Sequence, residues 1–366
     1  MKYYMIAGEA SGDLHASNLI KELRKKDTHA NIRAWGGDLM EAQEAEVVKH
    51  YRELAFMGFA EVLLNLRTIL SNISNCKNDI LQYQPDLIIL VDYPGFNLRI
   101  AKWAHEQGFK IAYYISPQIW AWKRNRVYKI KKYVNEMMVI LPFEKEFYAK
   151  YQMDVSYVGH PLLDALPQAS QDHKKFQKDH QLDAKPIIAL LPGSRKQEIS
   201  KMLSIMMTQI PLFPNYQFVI AAAPSIHDSF YTDIIGHQKV KIIKDKTHRL
   251  LQHTHAALVT SGTATLETAL IGVPEVVCYK GNRISYEIAK RIVNINYISL
   301  VNLIMDREVV KELIQNELTH QNLQQELTKI LDGPSREQML IEFQKLKEKL
   351  GSGGASKRAA EIVINI

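Results

Sequence analysis

The sequence predicts an α/β protein of two Rossmann-like, doubly wound domains that face each other across a cleft. Its 366 residues are more than one hydrophobic core usually organises. Short apolar segments alternate with amphipathic segments of helical period, which is typical of parallel βαβ units. The alternation begins again after a polar, charged stretch, Pro167–Asp183. This restart predicts a second domain with its own first strand and glycine turn.

The first half is predicted to contain six strands with amphipathic helices between them, such as His15–Lys26 and Arg99–Gln107. The strands are Tyr3–Ala7, Ile32–Trp35, Leu87–Val91, Lys110–Ile115, Met137–Leu141 and Val155–Val158. The strands predicted in the second half are Ile187–Leu191, Phe218–Ala222, Val240–Ile243, Ala257–Thr260 and Val276–Tyr279. A charged helix, Gln338–Leu350, then precedes the hinge Gly351–Gly354 and a short last helix, Ser356–Val363.

Composition narrows the setting of the protein. Apolar residues make up 46% and charged residues 23%, which is an ordinary globular balance. The two cysteines lie far apart and suit a reducing cytosol. We expect neither a signal peptide nor a membrane span, since no apolar run approaches about 18 residues. The net charge of +7 favours anionic partners, whether phosphorylated metabolites, nucleic acid or a membrane surface.

Open α/β sheets bind ligands outside the carboxyl ends of their strands, and the first candidate motif lies there. GEASGD, residues Gly8–Asp13, follows the first strand directly. Its small residues let the backbone approach a ligand, and a helix starting near Asp13 would present free N–H groups. The motif is not GxGxxG, so a dinucleotide fingerprint is absent. The alternative is a tight turn capped by Ser11 or Asp13.

Two motifs of the second half suit phosphate. LLPGSRKQEI places Arg195 after a glycine turn at the start of a helix, where it could clamp a diphosphate. The alternative is an exposed arginine, and the absence of GxxxxGK[ST] argues against an ATPase. TSGTATLET places Glu267 near the start of another helix, where a carboxylate suits the two hydroxyls of a ribose. A first-turn glutamate stabilised by the helix dipole explains it equally well.

VDYPGFN, at the end of a strong strand, offers the best candidate base. Asp92 lies where a buried strand reaches the expected cleft, so it could accept a proton from a sugar hydroxyl. The alternative is an aspartate that caps a helix beginning near Asn97.

Two segments of the first half indicate a surface role. Leu54–Leu70 is unusually apolar, and Ile119–Tyr133 interleaves Trp120, Trp122, Tyr128 and Tyr133 with lysines and arginines. The simplest interpretation is a solvated cationic helix whose aromatic residues pack on the core. Membrane and single-stranded nucleic acid surfaces recruit the same composition. The apolar segment favours the membrane over nucleic acid.

Taken in order, these motifs resemble the lipid-A-disaccharide synthase family over nearly the whole chain. They are AGEASGD, LAFMGFAEVL, VDYPGFN, YYISPQIWAWKRNRVYKI, LPFEKEFY, VGHPL, LLPGSRKQEI, SGTATLET and YISLVNLI. The combination of SPQIWAWK with LPGSRKQE is highly specific. Only Pro167–Asp183 and the region after Asp306 match loosely.

The resemblance implies a fold of the GT-B kind, without metal or cofactor. It implies an inverting transfer of 2,3-diacylglucosamine from UDP to 2,3-diacylglucosamine 1-phosphate (lipid X), a step of lipid A and lipopolysaccharide biosynthesis. It also implies peripheral attachment to the cytoplasmic face of the inner membrane of a Gram-negative bacterium. The implied partners are the two lipid substrates, an anionic membrane surface and a second copy of the chain, but no nucleic acid.

The resemblance further assigns domains and residues. Residues 1–166 form the acceptor and membrane side, residues 167–340 the UDP-sugar donor side, and residues 341–366 return to the first domain or to a partner subunit. Asp92 is the base, Arg195 binds diphosphate, and Asn302 lies near the nucleotide. The acceptor side is lined by Glu9, Ser11, Gly12, Asp13 and Met57. UDP is held by Gly193, Ser194, Ser261, Gly262, Thr263 and Glu267.

One departure and two alternative functions remain. Some relatives carry an acid at the position of Gly95, so the sequence predicts no second carboxylate beside Asp92. A UDP-sugar 2-epimerase shares the architecture, but it would not need the apolar, basic-aromatic surface. A membrane-associated or RNA-binding nucleotide sensor would not need a carboxylate at a strand end.

Overall fold

The computed structural model describes residues 1–54, 66–166, 172–282, 286–287 and 295–366. The chain divides into two compact units. The first combines Met1–Ala165 with Leu350–Ile366, and the second is Leu166–Lys349. Each unit has its own parallel sheet with helices on it.

The sheet of the first unit has seven strands. They are β1 (Lys2–Ala7), β2 (Asn31–Gly36), β3 (Glu46–His50), β4 (Leu87–Val91), β5 (Ile111–Tyr114), β6 (Glu136–Val139) and β7 (Ser156–Tyr157). Their order is β3-β2-β1-β4-β5-β6-β7, and every pair is parallel. In the central pair, Ala7 lies opposite Val91. The turns that begin at Gly8 and Asp92 therefore leave the same edge of the sheet side by side.

The helices of this unit connect the strands. They are α1 (Ala10–Lys26), α2 (Asp38–Glu41), α3 (Leu66–Tyr83), α4 (Pro94–Glu106), α5 (Arg126–Tyr133), α6 (Glu144–Ala149) and α7 (Leu162–Ala165). One 3-10 turn, Tyr51–Glu53, follows β3. The core between sheet and helices includes Tyr4, Ile6, Leu90, Phe96 and Tyr113.

The sheet of the second unit has six strands. They are β8 (Ile187–Leu191), β9 (Gln217–Ala222), β10 (Lys241–Lys244), β11 (Thr254–Thr260), β12 (Glu275–Tyr279) and β13 (Lys311–Ile314). Their order is β10-β9-β8-β11-β12-β13, again with parallel pairs only. The order changes direction between β8 and β11, which is where doubly wound sheets bind ligands.

The remaining helices lie in the second unit, apart from the last. They are α8 (His173–Asp179), α9 (Lys196–Met207), α10 (Asp228–Ile235), α11 (Thr247–Leu251), α12 (Thr263–Ile271), α13 (Leu300–Met305), α14 (His320–Leu331), α15 (Pro334–Leu350) and α16 (Ala355–Val363). Within the described part of the chain, none of the helices combines the length and the apolar character that a membrane crossing requires.

The C-terminal helix α16 packs against α1 in the first unit. The Asp164 carboxylate accepts hydrogen bonds from the N–H groups of Gly354 and Ser356, the latter at 2.8 Å. Arg358 Nε donates to the carbonyl of Val158 at 2.8 Å. These contacts and the two parallel sheets confirm the predicted fold class.

Two strands, β3 and β13, were not predicted from the sequence, and both lie at sheet edges. The edge strand β3 is only partly buried and carries Glu46, Lys49 and His50, while β13 is the outermost strand of its sheet. An edge strand need not be apolar on both faces, so it lacks the continuous pattern that marks a central parallel strand. Two helices also begin earlier than predicted, α1 at Ala10 instead of near Asp13 and α4 at Pro94.

Candidate active site

Asp92 lies directly after the fully buried strand β4, in a conformation that its surroundings impose. Asp92 and Tyr93 have φ values of 45° and 49°, in the left-handed region that side chains disfavour. The Asp92 carbonyl accepts hydrogen bonds from Asn97 Nδ2 at 2.8 Å and from the Tyr113 hydroxyl at 2.6 Å, and its N–H donates to the Tyr114 carbonyl. Strained backbone that is held this firmly is concentrated at functional sites.

The Asp92 carboxyl group has the proton affinity that a general base needs. Burial, and to a lesser extent the negative charge of Glu9, raise its pKa to about 7, although the hydrogen bond from the Tyr93 N–H opposes the shift. A base whose pKa lies near the working pH is the most effective proton acceptor. Helix α4 begins at Pro94 with Tyr93 as its capping residue, so Asp92 is not the helix cap.

Glu9 supplies the second carboxylate that the sequence predicted to be absent. The prediction based on Gly95 considered only the segment after Asp92, and it is wrong. The chain packs the two turns closely: a Cβ atom on Gly8 would lie 2.3 Å from the ring of Tyr93. This close approach brings Glu9 near enough to raise the pKa of Asp92.

The other residues of the first turn differ in exposure. Ser11 is exposed in the first turn of α1, whereas Gly12 is buried. A Cβ atom on Gly12 would lie 3.3 Å from the Cβ atom of Ala7, which is a tight contact. The carboxylate of buried Asp13 accepts hydrogen bonds from the N–H groups of Gly37, Leu39 and Met40 at 2.8 to 3.1 Å. Asp13 therefore anchors the start of α2. The alternative interpretation, in which Asp13 caps α1, is wrong.

In the second unit, the turn after β8 presents a helix N-terminus. Gly193 has a φ of 108°, and a Cβ atom there would lie 2.9 Å from Glu198 Oε2. Ser194 and Arg195 are exposed, and Arg195 is the capping residue of α9. Arg195 Nη1 donates to Glu198 Oε1 at 3.2 Å. Arg195 thus brings a positive charge to the N-terminus of a helix, a position suited to an anion.

The turn after β11 presents a second helix N-terminus at the same sheet edge. Gly262 caps α12 with an extended backbone, and both Gly262 and Thr263 are exposed. The hydroxyl of Ser261 donates to the carbonyl of Ile298 at 3.1 Å. Because β8 and β11 are paired neighbours, the N-termini of α9 and α12 lie close together. Two adjacent N-termini can share one diphosphate.

Glu267 lies in the second turn of α12 and has a partner that the sequence did not reveal. His248 Nε2, on α11, lies 3.1 Å from Glu267 Oε2. No motif marks His248, because the pair forms only when α11 packs against α12.

Asn302 is completely buried, and all of its amide hydrogen-bonding capacity is used. Its Nδ2 donates to the Val310 carbonyl at 2.8 Å and to Glu312 Oε1 at 2.9 Å. Its Oδ1 accepts from the N–H groups of Val309 and Val310 at 2.7 and 3.0 Å. Asn302 therefore organises the segment before β13.

Glu312 connects Asn302 to the start of α12. Its carboxylate accepts hydrogen bonds from the N–H groups of Ile298 and Ser299 at 2.9 Å, and the carbonyl of Ile298 receives the Ser261 hydroxyl. Sequence reasoning missed Glu312, which lies on an edge strand in the loosely matched region.

The basic and aromatic segment divides into packed and exposed residues. Trp120 is buried with its ring edge-on to Phe143 at 5.0 Å, whereas Trp122 and Tyr128 are 40% and 62% exposed. Lys123 Nζ lies 4.5 Å from the ring centroid of Trp122. The aromatic residues therefore pack on the core only in part. Met57 and most of Leu54–Leu70 lie outside the described residues.

Solved structures of low sequence identity share the fold. A UDP-GlcNAc 2-epimerase from Neisseria meningitidis, solved with UDP-GlcNAc, has a TM-score of 0.69 at 16% identity, covering 100% of both chains. The calicheamicin glycosyltransferase has a TM-score of 0.60 at 16% identity, covering 100% of this chain and 97% of that one. Likeness at this identity shows the fold alone. The class is thus the two-domain GT-B architecture that epimerases and glycosyltransferases share.

Sequence comparison resolves the family within that class. The sequence pattern of the family described as lipid-A-disaccharide synthetase matches residues 3–364. The lipid-A-disaccharide synthase of Geobacter metallireducens is 38% identical over 372 residues, covering 99% of this chain and 96% of the relative. That of Coxiella burnetii is 37% identical over 371 residues, covering 99% and 97%. The chain belongs to the lipid-A-disaccharide synthase family, which confirms the predicted enzyme class.

Proposed function

We propose that this chain transfers 2,3-diacylglucosamine from UDP to lipid X, giving the β-1,6-linked disaccharide 1-phosphate and UDP. Family membership supports the substrate class. The observation that carries the mechanism is Asp92, a partly buried carboxyl group at a strand end whose pKa is raised to about 7. Such a group accepts a proton from a sugar hydroxyl near neutral pH.

The reaction is a single displacement. The primary hydroxyl of lipid X attacks the anomeric carbon of the donor while Asp92 takes the hydroxyl proton. The bond from that carbon to the diphosphate oxygen breaks, and UDP leaves from the opposite face. The configuration at the carbon is inverted, as in glycosidases that use one displacement. The departing UDP needs stabilisation of negative charge and not a proton.

The second unit provides that stabilisation. The exposed Arg195 guanidinium and the free N–H groups at the starts of α9 and α12 are positive groups at one sheet edge. Gly193 and Ser194 shape the first turn, and Thr263 begins α12. Asn302 acts on this site through Glu312 and Ile298, as a residue that positions the turn carrying Ser261.

The acceptor is held by the first unit. Ser11 is exposed beside Glu9, so its hydroxyl is available to a ligand, and Met57 would add an apolar contact. Glu9 has a second function in this scheme, because its charge keeps the Asp92 carboxyl protonatable near neutral pH. Gly12 and Asp13 act through the shape of the turn.

The acyl chains of both substrates place the reaction at a membrane surface. Exposed Trp122 and Tyr128, with Lys123 and Arg126 beside the Trp122 ring, have the composition that inserts at a lipid headgroup layer. Cations there favour anionic lipids. We assign the chain to the cytoplasmic face of the inner membrane as a peripheral protein, and we retain the homodimer as part of the proposal.

Acceptor dependence separates this function from that of an epimerase with the same fold. The protein is incubated with UDP-2,3-diacylglucosamine in mixed micelles, with and without lipid X, and UDP release is followed. We expect UDP and disaccharide 1-phosphate in equal amounts, and only when lipid X is present. Inversion at C2 of the donor sugar without lipid X, or release of UDP that lipid X does not accelerate, would contradict the proposal.

A further inference from the structure

His248 and Glu267 form a pair at the edge of the proposed nucleotide site. His248 Nε2 lies 3.1 Å from Glu267 Oε2, within hydrogen-bonding distance. His248 belongs to α11, which follows β10, and Glu267 belongs to α12, which follows β11. The two helices contact each other, so the pair joins separate parts of the sheet edge.

The pair is only partly buried. The side chain of His248 is 25% exposed and that of Glu267 is 19% exposed. Glu267 lies one turn beyond Gly262 and Thr263, which are exposed at the start of α12. A ligand at this helix start can therefore reach the free side of the Glu267 carboxylate.

The chemistry of the pair suits a vicinal diol. A carboxylate has about four acceptor positions, and His248 occupies one of them on Oε2. The positions that remain can accept one hydrogen bond from each of two neighbouring hydroxyl groups. A glutamate side chain loses considerable rotamer freedom when it is ordered. A partner that orders it beforehand lowers the cost of binding the diol.

We infer that His248 is a positioning residue: it donates a hydrogen bond to Glu267 and holds the carboxylate ready for the 2′ and 3′ hydroxyls of the donor ribose. The inference deepens the proposed function and rests on it, because it requires a uridine nucleotide at the start of α12. His248 itself does not touch the nucleotide. It sets how strongly the site distinguishes ribose from deoxyribose.

The competing explanation is an ion pair that only ties α11 to α12. Partly exposed pairs of this kind contribute little to folding stability. The two explanations differ in what the loss of His248 changes. Loss of a purely structural pair lowers the unfolding temperature slightly at most and leaves nucleotide preference unchanged, whereas loss of a positioning residue reduces the preference for a ribose 2′ hydroxyl.

The test measures the Kd values of UDP and 2′-deoxy-UDP for wild type, His248→Ala and His248→Gln by calorimetry. We expect wild type to bind UDP at least about tenfold more tightly than 2′-deoxy-UDP, since a hydrogen bond to a charged group is lost in the analogue. His248→Ala weakens UDP binding more than 2′-deoxy-UDP binding, because the analogue retains only the 3′ hydroxyl contact to Glu267. His248→Gln restores the preference in part, because its amide N–H can replace Nε2–H.

Steady-state kinetics give a second measure. The ribose contact is the same in the ground state and the transition state, so His248→Ala should raise KM for the donor and leave kcat unchanged. His50→Ala is the matched control. His50 Nε2 lies 3.3 Å from Asp38 Oδ1, its side chain is 23% exposed, and the pair lies in the first unit. This variant should leave both Kd values unchanged.

The outcomes separate the two proposals. If wild type prefers UDP and folded His248→Ala keeps the full preference, His248 has only a structural role and the inference is overturned. It is also overturned if wild type binds UDP and 2′-deoxy-UDP equally. Failure of wild type to bind either nucleotide would instead overturn the proposed function, and the inference with it.

Discussion

The carboxyl groups of Asp92 and Glu275 both have raised pKa values, but they differ in burial and in hydrogen bonding. Asp92 is partly exposed at a strand end, where its pKa is raised to about 7. Glu275 begins β12 and is completely buried, and neither of its oxygens has a hydrogen-bond partner among the described residues. Burial alone raises the pKa of Glu275 well above its usual value. We find no chemical role for Glu275, and we expect it to lower stability.

Replacing Glu275 with Met should stabilise the protein, and the gain should grow as the pH rises. Burial keeps Glu275 protonated in the folded chain to a higher pH than in an unfolded chain, which ionises it above about pH 4.3. The unfolded state of the wild type therefore binds fewer protons than the folded state, and stability falls as pH rises through this range. We expect a gain of about 1–3 kcal/mol at pH 8, the cost of an unpaired buried polar group, and a smaller gain at pH 5.

Urea unfolding at pH 5 and pH 8 measures this effect. Glu337→Met provides the control, because Glu337 is an exposed residue of α15. A gain for Glu275→Met that is equal at both pH values, or a loss of stability at pH 8, would show that Glu275 has a partner when ionised.

At the scale of single elements, the turn before α5 and α5 itself form the surface that we assign to the membrane. Trp122 and Tyr128 are among the most exposed large apolar side chains of the described residues. Tyr128 also contacts the ring of Tyr151 edge-on at 5.8 Å, which fixes it on the surface of the unit. Exposed rings held among cations match an interfacial membrane site.

The double variant Trp122→Ser, Tyr128→Ser should bind anionic vesicles at least roughly tenfold more weakly than wild type, which corresponds to about 1.4 kcal/mol. Sedimentation with vesicles that contain phosphatidylglycerol measures the binding. Ile341→Ser removes a side chain that is 51% exposed on α15, and it should leave vesicle binding unchanged. Equal binding by wild type and the double variant would remove this surface from the membrane proposal.

The elements also show why the sequence predicted the centres of both sheets better than their edges. Every residue of β4 and β8 is buried, so each central strand has a continuous apolar pattern. The edge strands β3 and β13 are only partly buried and carry charged residues such as Lys49 and Lys311. Their pattern resembles that of a loop.

At the scale of the whole molecule, the sequence located the ends of strands but not the partners that meet there. The predicted strand ends correctly placed Asp92 and Arg195 in the turns after β4 and β8, and Glu267 in the helix that follows β11. The proximity of Glu9 to Asp92 depends on the pairing of β1 with β4, which only tertiary folding decides. The left-handed backbone at Asp92 likewise depends on hydrogen bonds from two other elements. Asn97 donates from helix α4 and Tyr113 donates from strand β5.

The role of Asn302 shows the same limit. Family resemblance assigns Asn302 to the nucleotide site. In the structure, however, its side-chain amide makes all of its hydrogen bonds with Val309, Val310 and Glu312. A motif can indicate that a residue matters without indicating whether it touches the ligand. The folded chain separates the two cases by burial and hydrogen bonding.

Asp92 is the central residue of the proposed mechanism, and Asp92→Asn tests its role as the base directly. The measurement compares UDP affinity by calorimetry with the rate of disaccharide formation from pH 5.5 to 8. For wild type, we expect kcat/KM to rise with pH, to reach half of its maximum near pH 7 and to level off above it, because protonated Asp92 cannot accept a proton. Asp92→Asn should bind UDP as wild type does and form product about 10²–10⁴-fold more slowly. Product formation by the folded variant at the wild-type rate would show that Asp92 is not the base.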